Sequence, residues 1–128
     1  MQRVTGVGGI FIKAKDPAAL REWYRDHLGI DVQPWGGFTF NWHKPDAPEP
    51  HGATVWNIFP AECTNFASPF MVNYRVSDLR ALLQALRDEG CEVDAKVLEN
   101  EYGRFGWVVD PEGNKVELWE PPAGPVPE

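Results

Sequence analysis

Trp107-Val108-Val109-Asp110-Pro111-Glu112-Gly113-Asn114-Lys115-Val116-Glu117-Leu118-Trp119 reads as a β-hairpin. Asp110 to Asn114 holds the residues that reverse a backbone: proline pre-sets φ, glycine accepts positive φ, and Asp and Asn bond back to nearby main chain. Apolar runs flank the turn on both sides. The second arm alternates, with Val116 and Leu118 on one face and Lys115, Glu117 and Trp119 on the other. A carboxylate that shares a strand face with a tryptophan is either a rim residue or part of a site.

The chain before the hairpin reads as two helices among many strands. Gly6 to Ala14 reads as a strand. Asp16-Pro17 reads as an N-cap followed by proline at the first helical position, and Gly29 suits the terminator of a helix of about three turns carrying Leu20, Trp23, Tyr24 and Leu28. Strands are expected at Ile30 to Trp35, Phe38 to Trp42 and Ala53 to Phe59, with a turn at Gly36-Gly37 and a proline-bearing loop from His43 to Gly52. After an irregular stretch from Pro60 to Pro69, Phe70 to Val76 reads as a strand. Asp78 reads as a cap for a helix striped with Leu79, Leu82, Leu83 and Leu86 and stopped at Gly90. Cys91 to Leu98 is expected as a strand, Glu99 to Gly103 as a turn, and Arg104 to Val109 as the approach to the hairpin.

The order strand, Asp cap, helix, Gly stop, further strands occurs twice, with Asp16 matching Asp78 and Leu20 matching Leu82. The repeat predicts an α+β fold of two paired βαβββ modules, residues 5–60 and 70–121, forming a curved mixed sheet around a cup-shaped cavity. Residues 1–121 then form a single domain and 122–128 a proline-rich tail. Trp56 and Glu117 are matched as equivalents on the last strand of each module. Strand parity sends Phe11, Lys13, Trp56, Met71, Asn73, Arg75, Glu117 and Trp119 to the cup, with Arg104 and Trp107 on one wall.

The bulk properties narrow the partners. A chain of 128 residues is long enough to build a core without disulfides. The formal net charge of −7, with no Lys/Arg cluster, disfavours nucleic acid. No apolar run reaches membrane-spanning length and no signal-peptide pattern opens the chain, so no membrane partner is expected. The two cysteines, Cys63 and Cys91, have neither metal nor redox spacing and read as free thiols of a cytoplasmic protein.

Asp16-Pro17…Trp23-Tyr24…Leu28-Gly29, Val76-Ser77-Asp78-Leu79…Gly90 and Asp110-Pro111-Glu112-Gly113-Asn114…Glu117-Leu118, in this order and spacing, resemble the vicinal oxygen chelate superfamily of glyoxalase I, extradiol dioxygenases and bleomycin-resistance proteins. The resemblance runs from Val7 to about Pro121 and implies a cup-shaped site and a homodimer. It also implies metal-ligand positions at Gly9, Trp56, Met71 and Glu117. Of these only Glu117 transfers: glycine has no side chain, indole offers a donor alone, and a thioether is too soft for the usual cations.

The expectation is therefore a glyoxalase/bleomycin-resistance-like protein that binds a small aromatic or amphipathic molecule without metal, in a cup lined by Phe11, Lys13, Trp56, Met71, Asn73, Arg75, Arg104, Trp107 and Trp119. No cofactor is expected, and a divalent metal is the disfavoured option. The alternative is a lyase-, isomerase- or dioxygenase-type enzyme of the same superfamily using Glu117 as base or metal ligand. The plainer readings stand beside these. Glu117 pairing with Lys115 or Arg75 is an ordinary rim interaction, Met71 and Trp56 are ordinary core fillers, and His43 and His51 are ordinary loop residues. Lys13 and Arg75 favour a ligand anion whereas aromatics beside Glu117 favour a cation, which leaves the sign of the ligand's charge open.

Overall fold

The computed structural model describes residues 3–42 and 52–123. His43 and His51, the proline loop around them and most of the tail lie outside the described residues. Among the described residues, eight strands and two helices follow one another as β1 (Val4–Ala14), α1 (Pro17–Leu28), β2 (Gly37–Trp42), β3 (Gly52–Pro60), β4 (Phe70–Val76), α2 (Leu79–Asp88), β5 (Glu92–Val93), β6 (Leu98–Asn100), β7 (Gly103–Val109) and β8 (Lys115–Glu120). Parallel and antiparallel pairings both occur, so the fold is α+β. The chain forms two compact units, Gly8–Met71 and Met1–Val7 with Val72–Glu128. None of the described helices is long and apolar enough to cross a membrane.

In the unit Gly8–Met71, β3 pairs parallel with β1 and antiparallel with β2. Helix α1 starts where Asp16 accepts a hydrogen bond from the Ala19 N–H, and stops at Gly29, whose φ of 69° is the left-handed conformation that glycine tolerates best. Ala14, Trp56 and Ile58 form the buried core, with Ile10, Ile12, Leu20, Tyr24, Ile30, Val32 and Phe38 packed against it. The strand expected at Ile30 to Trp35 does not form. Instead the Gln33 N–H bonds the Gly37 carbonyl (2.8 Å) and the Gly36 N–H bonds the Gln33 carbonyl (2.9 Å), closing a turn around Pro34, which has no N–H for a ladder.

In the other unit, β8 lies between β4, parallel to it, and β7, antiparallel to it; β5 and β6 pair with β7. Asp78 caps α2 by accepting from the Ala81 N–H, and the Leu79 N–H donates to Glu120 Oε1 at 2.8 Å. Leu79, Leu82 and Leu83 bury against Val76 and Leu118. Gly106 permits this close approach, because a Cβ there would meet Leu83 Cδ1 at 3.0 Å. Instead of one strand from Cys91 to Leu98, two short strands form. Asp94 Oδ1 accepts from the Lys96 N–H (2.9 Å), and that local bond bends the chain between them. The expected turn contracts to the residues after β6, where Asn100 Oδ1 accepts from the Tyr102 N–H. The Asp110–Asn114 turn forms as expected: Asp110 accepts from the Glu112 and Asn114 N–H groups and from Asn114 Nδ2, with Gly113 at φ 86°.

Candidate functional site

Strand register builds the site in rows. Glu117 sits opposite Asn73 on β4 and Trp107 on β7, so three side chains line up on one sheet face. Asn73 Nδ2 donates to Glu117 Oε1 at 2.7 Å, and Trp107 Nε1 donates to Glu117 Oε2 at 2.9 Å. Asn73 and Glu117 are the buried polar residues among those described, with exposures of 2% and 9%. Burial pushes the Glu117 carboxyl above the ordinary carboxylate range, opposed by the two hydrogen bonds and by the charge of Lys115.

The next row is Arg75, Trp119 and Phe105. Trp119 stacks on Phe105 with ring centres 6.1 Å apart and donates from Nε1 to the Tyr102 carbonyl. The Arg75 guanidinium lies 6.0 Å from the Trp119 ring centre. On the other side of the Glu117 row, Val109 pairs with Lys115. Trp107, Val109 and Lys115 line a groove of 340 Å³ together with Glu92, Val93 and Asp94. The ammonium groups of Lys115 and Lys96 lie 5.4 and 5.7 Å from the Trp107 ring centre. Trp107 thus touches both features: its N–H holds Glu117 and its ring helps to wall the groove.

Asn73, Arg75, Trp107, Glu117 and Trp119 are therefore brought onto one face of the β4–β8–β7 sheet. Two expected site residues lie elsewhere in their strands. Arg104 pairs with Glu120 on the opposite face of β7 and forms ion pairs with Glu99 (3.2 Å) and Glu120 (3.5 Å). Trp56 pairs with Ile10 and packs its ring edge-on to Tyr24 at 4.9 Å, within the core beneath α1. One step of register explains the second displacement, because neighbouring positions of a strand face opposite ways. The true counterpart of Glu117 is Asn57, which pairs with Phe11 as Glu117 pairs with Asn73. Asn57 was not singled out from sequence, and counting back from the hairpin gives no signal for it without the register.

Phe11 and Lys13 belong to the other unit. Phe11 packs edge-on to Phe59 (5.6 Å), which packs edge-on to Phe66 (5.9 Å). Lys13 Nζ donates to the Phe66 carbonyl and lies 4.8 Å from its ring centre, so Lys13 fastens the segment after β3. Met71 is buried at the start of β4. As for a metal, no three of His, Cys, Asp and Glu come together among the described residues. Glu117 already accepts two hydrogen bonds, and its oxygen-bearing neighbour Asn73 adds one amide, short of the three protein ligands typical of a catalytic zinc. The described side chains do not fit the metal the resemblance implies.

Residues 9–119 match the glyoxalase-like domain family. No curated protein matches. Among solved structures, methylmalonyl-CoA epimerase from Mycobacterium tuberculosis superposes with a TM-score of 0.60 at 21% identity, covering 95% of this chain and 91% of that one. A Streptomyces coelicolor methylmalonyl-CoA epimerase variant in complex with 2-nitronate-propionyl-CoA gives 0.70 at 19% identity, covering 97% and 99%. A glyoxalase/bleomycin resistance protein/dioxygenase superfamily member from Vibrio splendidus 12B01 gives 0.56 at 14% identity, covering 87% and 95%. At these identities the likeness is one of fold.

Proposed function

The chain belongs to the glyoxalase-like family, and from that premise we propose that it is a metal-independent binder of a small aromatic or amphipathic molecule, held on the Glu117 face of the β4–β8–β7 sheet. The observation that carries this reading is the double contact of Trp107, which donates to the buried Glu117 carboxylate and walls the adjoining 340 Å³ groove. Small-molecule sites run from about 300 to 1,000 Å³ and combine apolar walls with a few placed polar groups. A flat ligand against the indole gains apolar burial there, next to a fixed polar anchor. The donor set favours independence from metal, for the reason of ligand number given above. A homodimer is carried with this reading, and sedimentation of the purified chain tests it.

The test uses chelator-treated protein titrated with a panel of small aromatic compounds, read by tryptophan fluorescence and by melting shift. Saturable binding that is unchanged by added zinc, nickel or manganese is expected, weakened at least tenfold (~1.4 kcal/mol) by Trp107→Ala. Binding that requires stoichiometric metal would sink the proposal.

A second reading rests on the raised pKa of Glu117. Burial raises the Glu117 pKa, and a carboxylate raised in this way is a stronger base toward a carbon acid. The structural neighbours named as methylmalonyl-CoA epimerase make methylmalonyl-CoA the first compound to try as a carbon acid. Deuterium exchange from solvent into that thioester, abolished by Glu117→Gln, would support a general base. Equal exchange by both proteins would remove it.

A further inference from the structure

The 340 Å³ groove has charged sides of opposite sign and an apolar floor. Glu92 on β5 pairs with Val109 on β7, and Val109 pairs with Lys115 on β8, so the three side chains form one row across three strands. In the adjoining row the Asp94 N–H bonds the Trp107 carbonyl at 2.9 Å, which sets Asp94 beside the indole. The β5 side of the groove thus carries two exposed carboxylates, Glu92 and Asp94, and the β8 side carries the Lys115 ammonium. Trp107 and Val109 lie between them, and the indole is held in place by its hydrogen bond to Glu117. Lys96 brings a second ammonium to the indole, 5.7 Å from the ring centre against 5.4 Å for Lys115. The formal charges of Glu92, Asp94, Lys96 and Lys115 cancel, in a chain whose net charge is −7. A ligand of single charge is attracted at one side of such a groove and repelled at the other.

We propose that the groove selects a zwitterion with a flat apolar body, its ammonium facing Glu92 and Asp94 and its carboxylate facing Lys115. The inference rests on the binding reading above and supplies the ligand class that reading leaves open. The body lies on Trp107 and Val109, where it gains apolar burial. The β5 and β8 backbones are two strand spacings apart, about 10 Å. Lys115 leans inward over the indole and shortens that gap. A ligand whose charges stand at opposite ends of a ring spans it. One whose charges share a single carbon, as in an α-amino acid, satisfies one side only.

The experiment compares four probes on the full chain: 4-(aminomethyl)benzoate, its cationic analogue 4-methylbenzylamine, its anionic analogue 4-methylbenzoate, and free phenylalanine. Affinities come from isothermal titration, and location comes from the indole N–H resonance of Trp107. The separated zwitterion is expected to bind at least fivefold more tightly than each of the other three and to shift that resonance. Lys115→Gln is expected to bring its affinity within about twofold of 4-methylbenzylamine, and Glu92→Gln combined with Asp94→Asn within about twofold of 4-methylbenzoate. The probe comparison on the unaltered chain decides the matter even where a variant does not fold. Equal or tighter binding of a singly charged analogue or of phenylalanine overturns the zwitterion assignment and leaves the binding reading standing. Binding of other aromatic compounds but none of these four does the same. Absence of all binding overturns both.

Discussion

Asn73 and Glu117 stand opposite each other across the parallel β4–β8 pair, joined by a 2.7 Å hydrogen bond between residues 44 positions apart. Trp107 closes the row from the antiparallel side, only 10 positions from Glu117. A buried carboxylate is thus held by one distant amide and one nearby indole, and its protonation is coupled to both.

Glu117 gives the stability of the fold a pH dependence of definite sign. Its pKa is raised on folding, so the native state holds the proton more tightly than the unfolded chain. The contribution is complete below the unfolded carboxyl value of about 4.3 and is lost as pH rises through the folded value. Melting temperatures of the wild type and Glu117→Gln, measured from acid to neutral pH, are expected to diverge with rising pH in favour of the variant. A gap that narrows toward neutrality would contradict this assignment.

Trp107→Phe keeps an aromatic ring, smaller than the indole, and removes the donor to Glu117 Oε2. That hydrogen bond lowers the carboxyl pKa, so its loss raises the pKa further. Carbon-13 titration of the Glu117 carboxyl is expected to move upward in the variant. Urea denaturation at neutral pH is expected to show a loss of about 1–3 kcal/mol for the unpaired buried acceptor. A downward movement of the titration would break the link between the indole and the carboxylate.

Gly103 has a φ of 120°, and a Cβ there would overlap the Glu120 carbonyl oxygen. Gly103→Ala combines backbone strain with a clash against main chain that has no freedom to yield. A destabilisation of at least about 2 kcal/mol is expected. Gly113→Ala is the control: its φ of 86° is also strained, but nothing lies within 4 Å of the added carbon. Equal losses at the two positions would show that the contact with Glu120 carries no weight.

Asp78→Ala removes the side-chain acceptor for the Ala81 N–H and is expected to cost about 1 kcal/mol, as is Asp16→Ala at the start of α1. Circular dichroism melts of both variants check it, and near-zero shifts would mean that Glu120, which already accepts the Leu79 N–H, suffices for α2.

Local chemistry was legible and long-range register was not. Asp16, Gly29, Asp78 and the Asp110–Asn114 turn act within a few residues of themselves, and their side chains state what they do. The alternation of β8 was legible because Val116 and Leu118 are apolar and Glu117 is not. Trp56 is different. Its pairing with Ile10 is set by a parallel contact between residues 46 positions apart, and a one-residue error puts the indole on the wrong face. Asp94 misled in another way: a strand-like stretch yields to one side-chain-to-backbone bond that composition does not announce.

The Asp110–Asn114 hairpin also bears on the order of events in folding. Its turn is closed by its own side chains, so β7 and β8 meet at little loop-closure cost and can pair early. The union of β8 with β4 must wait for a far longer loop to close. Glu117 therefore receives Trp107 first and Asn73 last. Substitutions at Asp110 are then expected to slow refolding, and those at Asn73 to hasten unfolding, a division that stopped-flow chevrons on the two variants would reveal or refute.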